Sequence, residues 1–123
     1  MTTEFKVKRG YVYLVNLNPV KGAETGKVRP AVVVSNDINN EYADTVTVVP
    51  ITSNIAKVYP FEVFIPKGTA NLTKDSKAKA NQIRTIDKSR IIREIGKLPD
   101  SLLKELEKAI KIHLDLWTSE DIR

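Results

Sequence analysis

Short runs of β-branched and aromatic residues, each bounded by turn or loop residues, limit the first two-thirds of this sequence to a strand-rich fold. Runs of this kind are typical of strands in small sheets. We predict five strands: Tyr11 to Leu17, Ala31 to Ser35, Thr45 to Ile51, Phe61 to Ile65 and Lys77 to Ile83. Pro50 cannot donate to a sheet ladder, so we expect an edge or a bend near the end of the third strand.

The end of the sequence has a helical pattern instead. Pro99-Asp100-Ser101 is a helix-start signal. Side chains of one stripe then recur every three or four residues, as in an amphipathic helix: Leu102, Leu106, Ile110, His113 and Trp117. Strands followed by a terminal helix, with no linker and no internal repeat, predict a single α+β domain over residues 1–123.

Charge and composition narrow the functions that such a domain can have. The net charge is +5 and the isoelectric point is about 9.5, which favours an anionic partner such as nucleic acid. The sequence has no cysteine. Its single histidine, His113, lies on the apolar stripe of the helix, so we interpret it as packed or half-buried. We therefore expect neither a metal site nor any other cofactor.

No segment has the signature of export or of membrane insertion. Met1 to Arg9 lacks an apolar region after its charges, unlike a secretory signal. No apolar run approaches the roughly 18 residues of a membrane span. We expect a cytoplasmic protein that does not contact a membrane.

Arg29 stands between a polar loop and an apolar strand. The loop, residues 19–27, contains two glycines, two lysines and one glutamate, and Val28-Arg29-Pro30 follows it. Proline biases its predecessor towards an extended backbone, so we expect Arg29 at the mouth of the strand. A guanidinium held beside a flexible loop suits phosphate binding better than it suits a core.

Three polar segments at strand ends form an ordered set: Glu24 to Pro30, Val49 to Ser53, and Asn81 to Asp87. In this combination and order they closely resemble the MazF/PemK family of type II toxin endoribonucleases, also called mRNA interferases. The resemblance covers nearly the whole chain, from Arg9-Gly10-Tyr11-Val12-Tyr13 to the closing helix. Each motif alone is weakly specific, whereas the ordered set at this chain length is strongly specific.

The resemblance implies a small SH3-like β-barrel of five or more mostly antiparallel strands with appended helices, assembled as a homodimer. It also implies metal-independent, sequence-specific cleavage of single-stranded RNA. The ribose 2′-hydroxyl would attack the adjacent phosphorus and leave a 2′,3′-cyclic phosphate and a 5′-hydroxyl. The inhibitor of such a toxin would be a small acidic, MazE-like antitoxin whose disordered tail folds over the basic groove.

Carried over residue by residue, the resemblance assigns the reacting phosphate to Arg29 and Thr52. Arg29 would stabilise the developing charge and act as an acid, and it is a poor base because arginine is effectively always protonated. Thr52 can donate to a phosphoryl oxygen or hold the 2′-hydroxyl, although a strand-end threonine often bonds only to its own backbone. Glu24 is the candidate general base, with a solvated loop charge as the equal alternative.

The third segment departs from many relatives, which carry an ionisable residue just before the glutamine, and some of which carry a basic residue two positions earlier. Those positions are Asn81 and Lys79 here. We assign Asn81 to base recognition or orientation and Lys79 to phosphate binding, and we expect a different sequence preference. Gln82 and Arg84 are candidate RNA contacts, but both could belong to a structural network in which Arg84 bonds to Asp87 or to a main-chain carbonyl.

Further polar and basic side chains are candidates for lining the RNA groove: Lys21, Lys27, Ser53 and Lys57. Scattered lysines are usually no more than solubility charge, so the alternative stays open. Single-stranded RNA is typically held on aromatic faces. The sequence does not place Tyr42, Tyr59 or Phe61 well enough to identify a stacking platform.

Two functions other than RNA cleavage stay open. A non-enzymatic toxin on the same barrel could bind DNA gyrase. Members of that related family share a Trp-Gly-Ile end, whereas Trp117 lies inside the helical pattern here and the sequence finishes Asp121-Ile122-Arg123. A regulatory module could instead bind RNA without cleaving it, with an affinity that falls as salt rises. The ordered motif set favours the nuclease.

Overall fold

Seven strands and two α-helices build the fold of residues 6–116, which the computed structural model describes. The strands are β1 (Tyr11–Asn16), β2 (Val28–Val33), β3 (Thr45–Thr52), β4 (Glu62–Ile65), β5 (Ser76–Lys79), β6 (Arg84–Asp87) and β7 (Ile91–Lys97). The helices are α1 (Asp37–Tyr42) and α2 (Asp100–Leu114). Short 3₁₀ turns span Thr69–Asn71, Ala80–Gln82 and Lys88–Arg90.

The strands form one sheet in the order β4-β5-β3-β2-β1-β7, and β6 pairs with β3 beside this path. Every pairing is antiparallel. Within residues 6–116, β6 and β7 do not pair with each other, so the sheet is not closed. The predicted fold class, an α+β domain with a small SH3-like antiparallel barrel and a C-terminal helix, is confirmed.

The fifth predicted strand is wrong in its extent. We expected one strand over Lys77 to Ile83, but β5 ends at Lys79 and the turn Ala80–Gln82 leads the chain into β6. The physical reason is that β5 and β6 pair with different parts of β3. Pro50 lies between the part of β3 that pairs with β6 and the part that pairs with β5, so no ladder bond is lost at this proline on that side of the strand.

Two other strands differ from the prediction. β2 begins at Val28 rather than at Ala31, because Val28 to Pro30 already pair with β1. Pro30 is tolerated there because the pairing of β2 with β3 starts only at Ala31, so no ladder bond is lost on that side. The segment Ile91–Lys97, for which we predicted no strand, forms β7 beside β1.

An apolar core lies on each face of the sheet, because side chains alternate along every strand. α2 covers the first core, whose buried members include Val12, Val32, Ile51, Leu106 and Ala109. The second core lies on the opposite face and includes Tyr13, Val15, Ala31, Val33, Val48 and Ile86. On the same face as the second core, the side chains near the strand ends are polar or charged. They form the site described below.

The amphipathic character of α2 is confirmed by the burial of Leu106 and Ala109. The prediction for His113 is wrong, because this side chain is exposed. His113 lies in the last turn of α2, where the neighbouring Leu114 is also 47% exposed, so the apolar stripe no longer meets the sheet. Trp117, the last residue of the predicted stripe, lies outside the described residues. Neither α1 nor α2 has the length and apolar character that a bilayer crossing requires.

Tyr13 is an ionisable residue buried in the second core, and it predicts a pH dependence of stability. Its hydroxyl accepts a hydrogen bond from the Lys8 N–H at 2.9 Å, and burial raises the pKa of Tyr13 to about 12. The folded pKa lies above the value of about 10 in an unfolded chain, so folding favours the neutral phenol. This stabilisation is complete below about pH 10 and is lost as the pH rises through 12.

We expect the free energy of unfolding to fall by roughly 2–3 kcal/mol across this window because of Tyr13. Urea unfolding from about pH 9 to pH 12 measures the fall, with Tyr13→Phe as the control that cannot ionise. The wild-type protein should lose more stability over the window than Tyr13→Phe does. Equal losses in the two proteins would contradict the assignment.

Candidate active site

Arg29 and Thr52 lie on the same face of the sheet, at neighbouring strand ends. β2 pairs with β3 so that Ala31 is opposite Pro50. Continuing this register by two residues along each strand brings Arg29 opposite Thr52, on the face of the second core. Both residues line one open cavity of about 360 Å³, which we call the Arg29–Thr52 cavity. The structure therefore brings the two predicted catalytic residues together.

Other elements complete the Arg29–Thr52 cavity. Ser53, a predicted RNA contact, is one of its lining residues. The connection between β4 and β5 adds Thr73, Lys74 and Ser76, so that a second cation joins Arg29. This segment carries no motif that marks it in the sequence, and it reaches the cavity only through the pairing of β5 with β3.

The polar loop holds the Arg29 side chain from one side. Arg29 Nε donates to the carbonyl oxygen of Gly26 at 2.7 Å. A Cβ at Gly26 would lie 2.6 Å from Val20 Cγ2 and 2.8 Å from Asn18 Oδ1, so only glycine allows the loop to fold this tightly. Arg29 makes no other hydrogen bond or ion pair within residues 6–116. Its two terminal amino groups therefore remain available for an anion.

Thr52 combines a structural contact with a free donor. Its Oγ1 accepts a hydrogen bond from the Asn54 N–H at 3.2 Å, which is the backbone contact that we considered as the alternative role. A hydroxyl that accepts in this way still carries its own hydrogen. The half-buried Thr52 can therefore donate to a group bound in the cavity.

Lys79 and Gln82 anchor the polar loop through Thr25. Lys79 Nζ donates to Thr25 Oγ1 at 3.1 Å, and Gln82 Oε1 accepts from the Thr25 N–H at 3.1 Å. Thr25 is only 8% exposed, so these contacts fix the middle of the loop. Both side chains thus position the loop that holds Arg29, and neither lines the cavity.

Arg84 and Asp87 form hydrogen bonds with backbone groups near the site. Arg84 donates to the carbonyl oxygen of Leu17 at 3.0 Å, which is one of the structural contacts considered for it. Asp87 accepts from the Ser89 N–H at 2.8 Å, and hydrogen bonds from the side chain and backbone of Ser89 hold the pKa of Asp87 below its usual range. Arg84 therefore fixes the end of β1 rather than pairing with Asp87.

The remaining predicted residues lie outside the Arg29–Thr52 cavity. Glu24 is exposed and accepts from the Lys21 N–H at 2.5 Å, so it closes a turn of its own loop. The side chains of Lys21, Lys27 and Lys57 are exposed. Asn81 Oδ1 is buried and has no hydrogen-bond partner among the described residues, which leaves an unused acceptor beside Gln82.

A buried ion pair that we did not predict lies next to Thr52. Lys77 lies opposite Thr52 in the pairing of β3 with β5, on the same face of the sheet. Lys77 Nζ is 3.0 Å from Glu62 Oε1, and the two side chains are 10% and 3% exposed. The alternation of Lys77 and Lys79 with alanines places both lysines on one face, but it does not reveal the contact with Glu62.

The arrangement suits a phosphodiester. Arg29, Thr52 and Lys74 all line one open cavity, and within residues 6–116 the two terminal amino groups of Arg29 make no hydrogen bond. Groups of this kind stabilise negative charge that develops on phosphate oxygens. Among residues 6–116, no three histidine, cysteine, aspartate or glutamate side chains are grouped closely enough to hold a metal ion.

Comparisons with known proteins cover nearly the whole chain. The family described as PemK-like, MazF-like toxin of type II toxin-antitoxin system matches residues 8–114. Endoribonuclease MazF9 of Mycobacterium tuberculosis is 48% identical over 117 residues, which is 91% of this chain and 99% of the relative. Endoribonuclease MazF of Staphylococcus saprophyticus is 44% identical over 113 residues, which is 91% of this chain and 94% of the relative.

Solved structures show the same fold. MazF from Deinococcus radiodurans matches with a TM-score of 0.80 at 29% identity, covering 91% of this chain and 99% of that chain. A MazE-MazF structure from the same organism matches with a TM-score of 0.75 at 28% identity, covering 93% of this chain and 100% of that chain.

Proposed function

This chain belongs to the PemK-like, MazF-like family of toxins of type II toxin-antitoxin systems, and from that premise we propose that it cleaves RNA in the Arg29–Thr52 cavity. It is an endoribonuclease toxin, as are the relatives with which it shares 48% and 44% of its aligned residues. The observation that carries the catalytic assignment is the meeting of Arg29 and Thr52, from separate strands, at one open cavity.

The proposed substrate is single-stranded RNA, cleaved at specific sequences. The ribose 2′-oxygen loses its proton and bonds to the adjacent phosphorus, and the bond from phosphorus to the 5′-oxygen breaks. The 5′-oxygen takes up a proton, for which Arg29 is the proposed acid. The products are a 2′,3′-cyclic phosphate and a 5′-hydroxyl, and the reaction requires no metal and no other cofactor. Catalysis therefore depends on proton transfer and on stabilising the charge of the phosphorane.

Arg29 supplies the charge stabilisation in this scheme. Its terminal amino groups can bond two non-bridging phosphate oxygens at once, while Gly26 fixes Nε. Thr52 donates to a phosphoryl oxygen from the opposite strand. Removing one such donor typically lowers a rate by about 10²–10³-fold. Ser53 contacts the bound RNA at the edge of the same cavity.

Glu24 is the proposed general base, and one substitution separates this role from its contact in the loop. Glu24→Gln keeps an oxygen that accepts from the Lys21 N–H but cannot take the 2′ proton. We expect the single-turnover cleavage rate to fall by at least about 10²-fold. A rate close to the wild-type value would show that Glu24 only closes the turn.

Further residues are proposed to guide the RNA towards the cavity. Lys21, Lys27 and Lys57 are exposed cations that can bind phosphates flanking the cleavage position. The half-buried Asn81, whose Oδ1 is itself buried, is proposed to orient or recognise a base through the rest of its amide. The contacts of Lys79, Gln82 and Arg84 with the loop and with β1 support roles in shaping this surface, with phosphate contacts added when RNA binds.

The proposed assembly is a cytoplasmic homodimer that a small acidic antitoxin inhibits. The net charge of +5 favours an acidic partner. A MazE-MazF structure is among the solved structures that this chain resembles, at 28% identity. We infer that the antitoxin covers the basic surface around the Arg29–Thr52 cavity, and that it competes there with RNA.

Incubation of the purified protein with a long RNA in EDTA tests the proposed function. We expect discrete fragments that end in 2′,3′-cyclic phosphates and begin with 5′-hydroxyls. RNA binding without new ends would indicate an inactive RNA-binding module. Intact RNA together with trapped gyrase cleavage complexes would indicate a gyrase toxin instead.

A further inference from the structure

Two stacked aromatic rings lie on the connection between β3 and β4. The rings of Tyr59 and Phe61 are nearly parallel, with 5° between their planes and 5.3 Å between their centroids. Lys57 Nζ lies over the Tyr59 ring, 4.7 Å from its centroid. Tyr59 is 41% exposed, and neither ring belongs to one of the two apolar cores. Solvent therefore reaches Tyr59, while Phe61 is half-buried.

The buried pair of Lys77 and Glu62 fixes this connection. Glu62 Oε1 accepts from the Tyr59 N–H at 2.9 Å and from Lys77 Nζ at 3.0 Å. Lys77 Nζ also donates to the carbonyl oxygen of Lys57 at 2.6 Å. Single exposed apolar side chains are common on protein surfaces and need no function. The turn that carries Tyr59 differs from such a surface because a desolvated ion pair holds it in place. Burying these charges opposes folding, and the attraction between them only partly offsets this cost.

Lys77 connects the ring pair to the reacting groups. It lies directly opposite Thr52 in the pairing of β3 with β5, so both side chains project from the same face. Directly opposite residues in antiparallel strands have Cα atoms about 4.5–5.5 Å apart. The ring pair is thus supported by the cross-strand neighbour of a proposed catalytic residue.

We propose that Tyr59 and Phe61 form a stacking site for a base of the RNA substrate next to the scissile phosphate, an inference that rests on the proposed function. Single-stranded RNA is held by stacking on aromatic faces combined with cation contacts to its phosphates. Lys57 Nζ is the nearer of two cations over the Tyr59 ring, at 4.7 Å from its centroid against 6.0 Å for the buried Lys77 Nζ. The base takes the place of the exposed Lys57 ammonium, which moves to a phosphate. Because every base has a π face, this site contributes affinity rather than a choice of sequence.

Steady-state cleavage of one RNA by Tyr59 variants tests the stacking site. Tyr59→Leu keeps apolar bulk but removes the aromatic face, so we expect KM to rise roughly 5- to 150-fold while kcat changes by less than about twofold. Tyr59→Phe keeps the ring and should retain a KM close to that of the wild type. Tyr42→Leu is the matched control, since Tyr42 is 78% exposed on α1, and it should change neither constant.

Abasic substitutions around the mapped cleavage position then locate the base. One position should weaken binding to the wild-type protein, and this penalty should disappear in Tyr59→Leu. An unchanged KM in Tyr59→Leu would overturn the stacking site while leaving the nuclease intact, and weaker antitoxin binding in that variant would assign the rings to the antitoxin instead. A fall in kcat alone would also overturn it, since Tyr59 would then only position Thr52. Failure of the wild-type protein to cleave any RNA would overturn the proposed function itself.

Discussion

Replacing Arg29 with alanine is expected to lower the single-turnover rate of RNA cleavage by at least about 10³-fold while the protein stays folded. The loss is large because Arg29 can offer its two terminal amino groups to the phosphate, since within residues 6–116 its side chain bonds only through Nε. The fold should persist because the side chain is half-buried at a strand end and belongs to neither apolar core.

Two further variants separate the geometry of Arg29 from its charge. Arg29→Lys keeps the charge but loses the planar pair of donors, so we expect it to recover only part of the rate. Lys104→Ala removes one charge from the exposed side of α2, and it should cleave like the wild type. Cleavage by Arg29→Ala within about tenfold of the wild-type rate would contradict the assignment.

Removing one partner of the buried pair is expected to be the most damaging change to stability. Lys77→Met or Glu62→Leu leaves the other charge without its partner, in a place where the side chains are 10% and 3% exposed. Such single changes typically lower the free energy of unfolding by about 3–5 kcal/mol. Urea unfolding of each variant measures the loss.

The double variant Lys77→Met/Glu62→Leu provides the control. It removes both charges and fills the space with apolar groups, so it should be more stable than either single variant. The backbone groups that it leaves without partners, the Tyr59 N–H and the Lys57 carbonyl, belong to an exposed turn where water can bond them. Additive losses in the double variant would show that the two side chains do not act as a pair.

The predictable part of the fold is the part that local sequence determines. The β-branched runs and the stripe on α2 carry their own periodicity, so those elements follow from it. The end of β5 could not be predicted, because the side chains of Lys77 to Ile83 keep the alternation of a strand. β5 ends where it does because β3 pairs with β5 at one end and with β6 at the other, which is a non-local contact. The exposure of His113 depends on the point at which α2 stops packing on the sheet. The helical repeat in the sequence does not give that point.

The residues of the candidate site also include some that local sequence predicts and some that it does not. Arg29 and Thr52 were predictable because each lies in a motif at a strand end. Lys77 and Glu62 were not, because their contact depends on the register between β4 and β5 and on the pairing of β5 with β3. Lys74 reaches the cavity by the same non-local route.

A double-mutant cycle on the cleavage rate tests most directly whether Arg29 and Thr52 act on one phosphate. Thr52→Val removes the hydroxyl at nearly constant volume, and we expect it alone to lower the single-turnover rate by about 10²-fold. Residues that act as a unit on one group are strongly non-additive, so Arg29→Ala/Thr52→Val should lose far less than the product of the two single losses. Losses that multiply in full would contradict a shared phosphate.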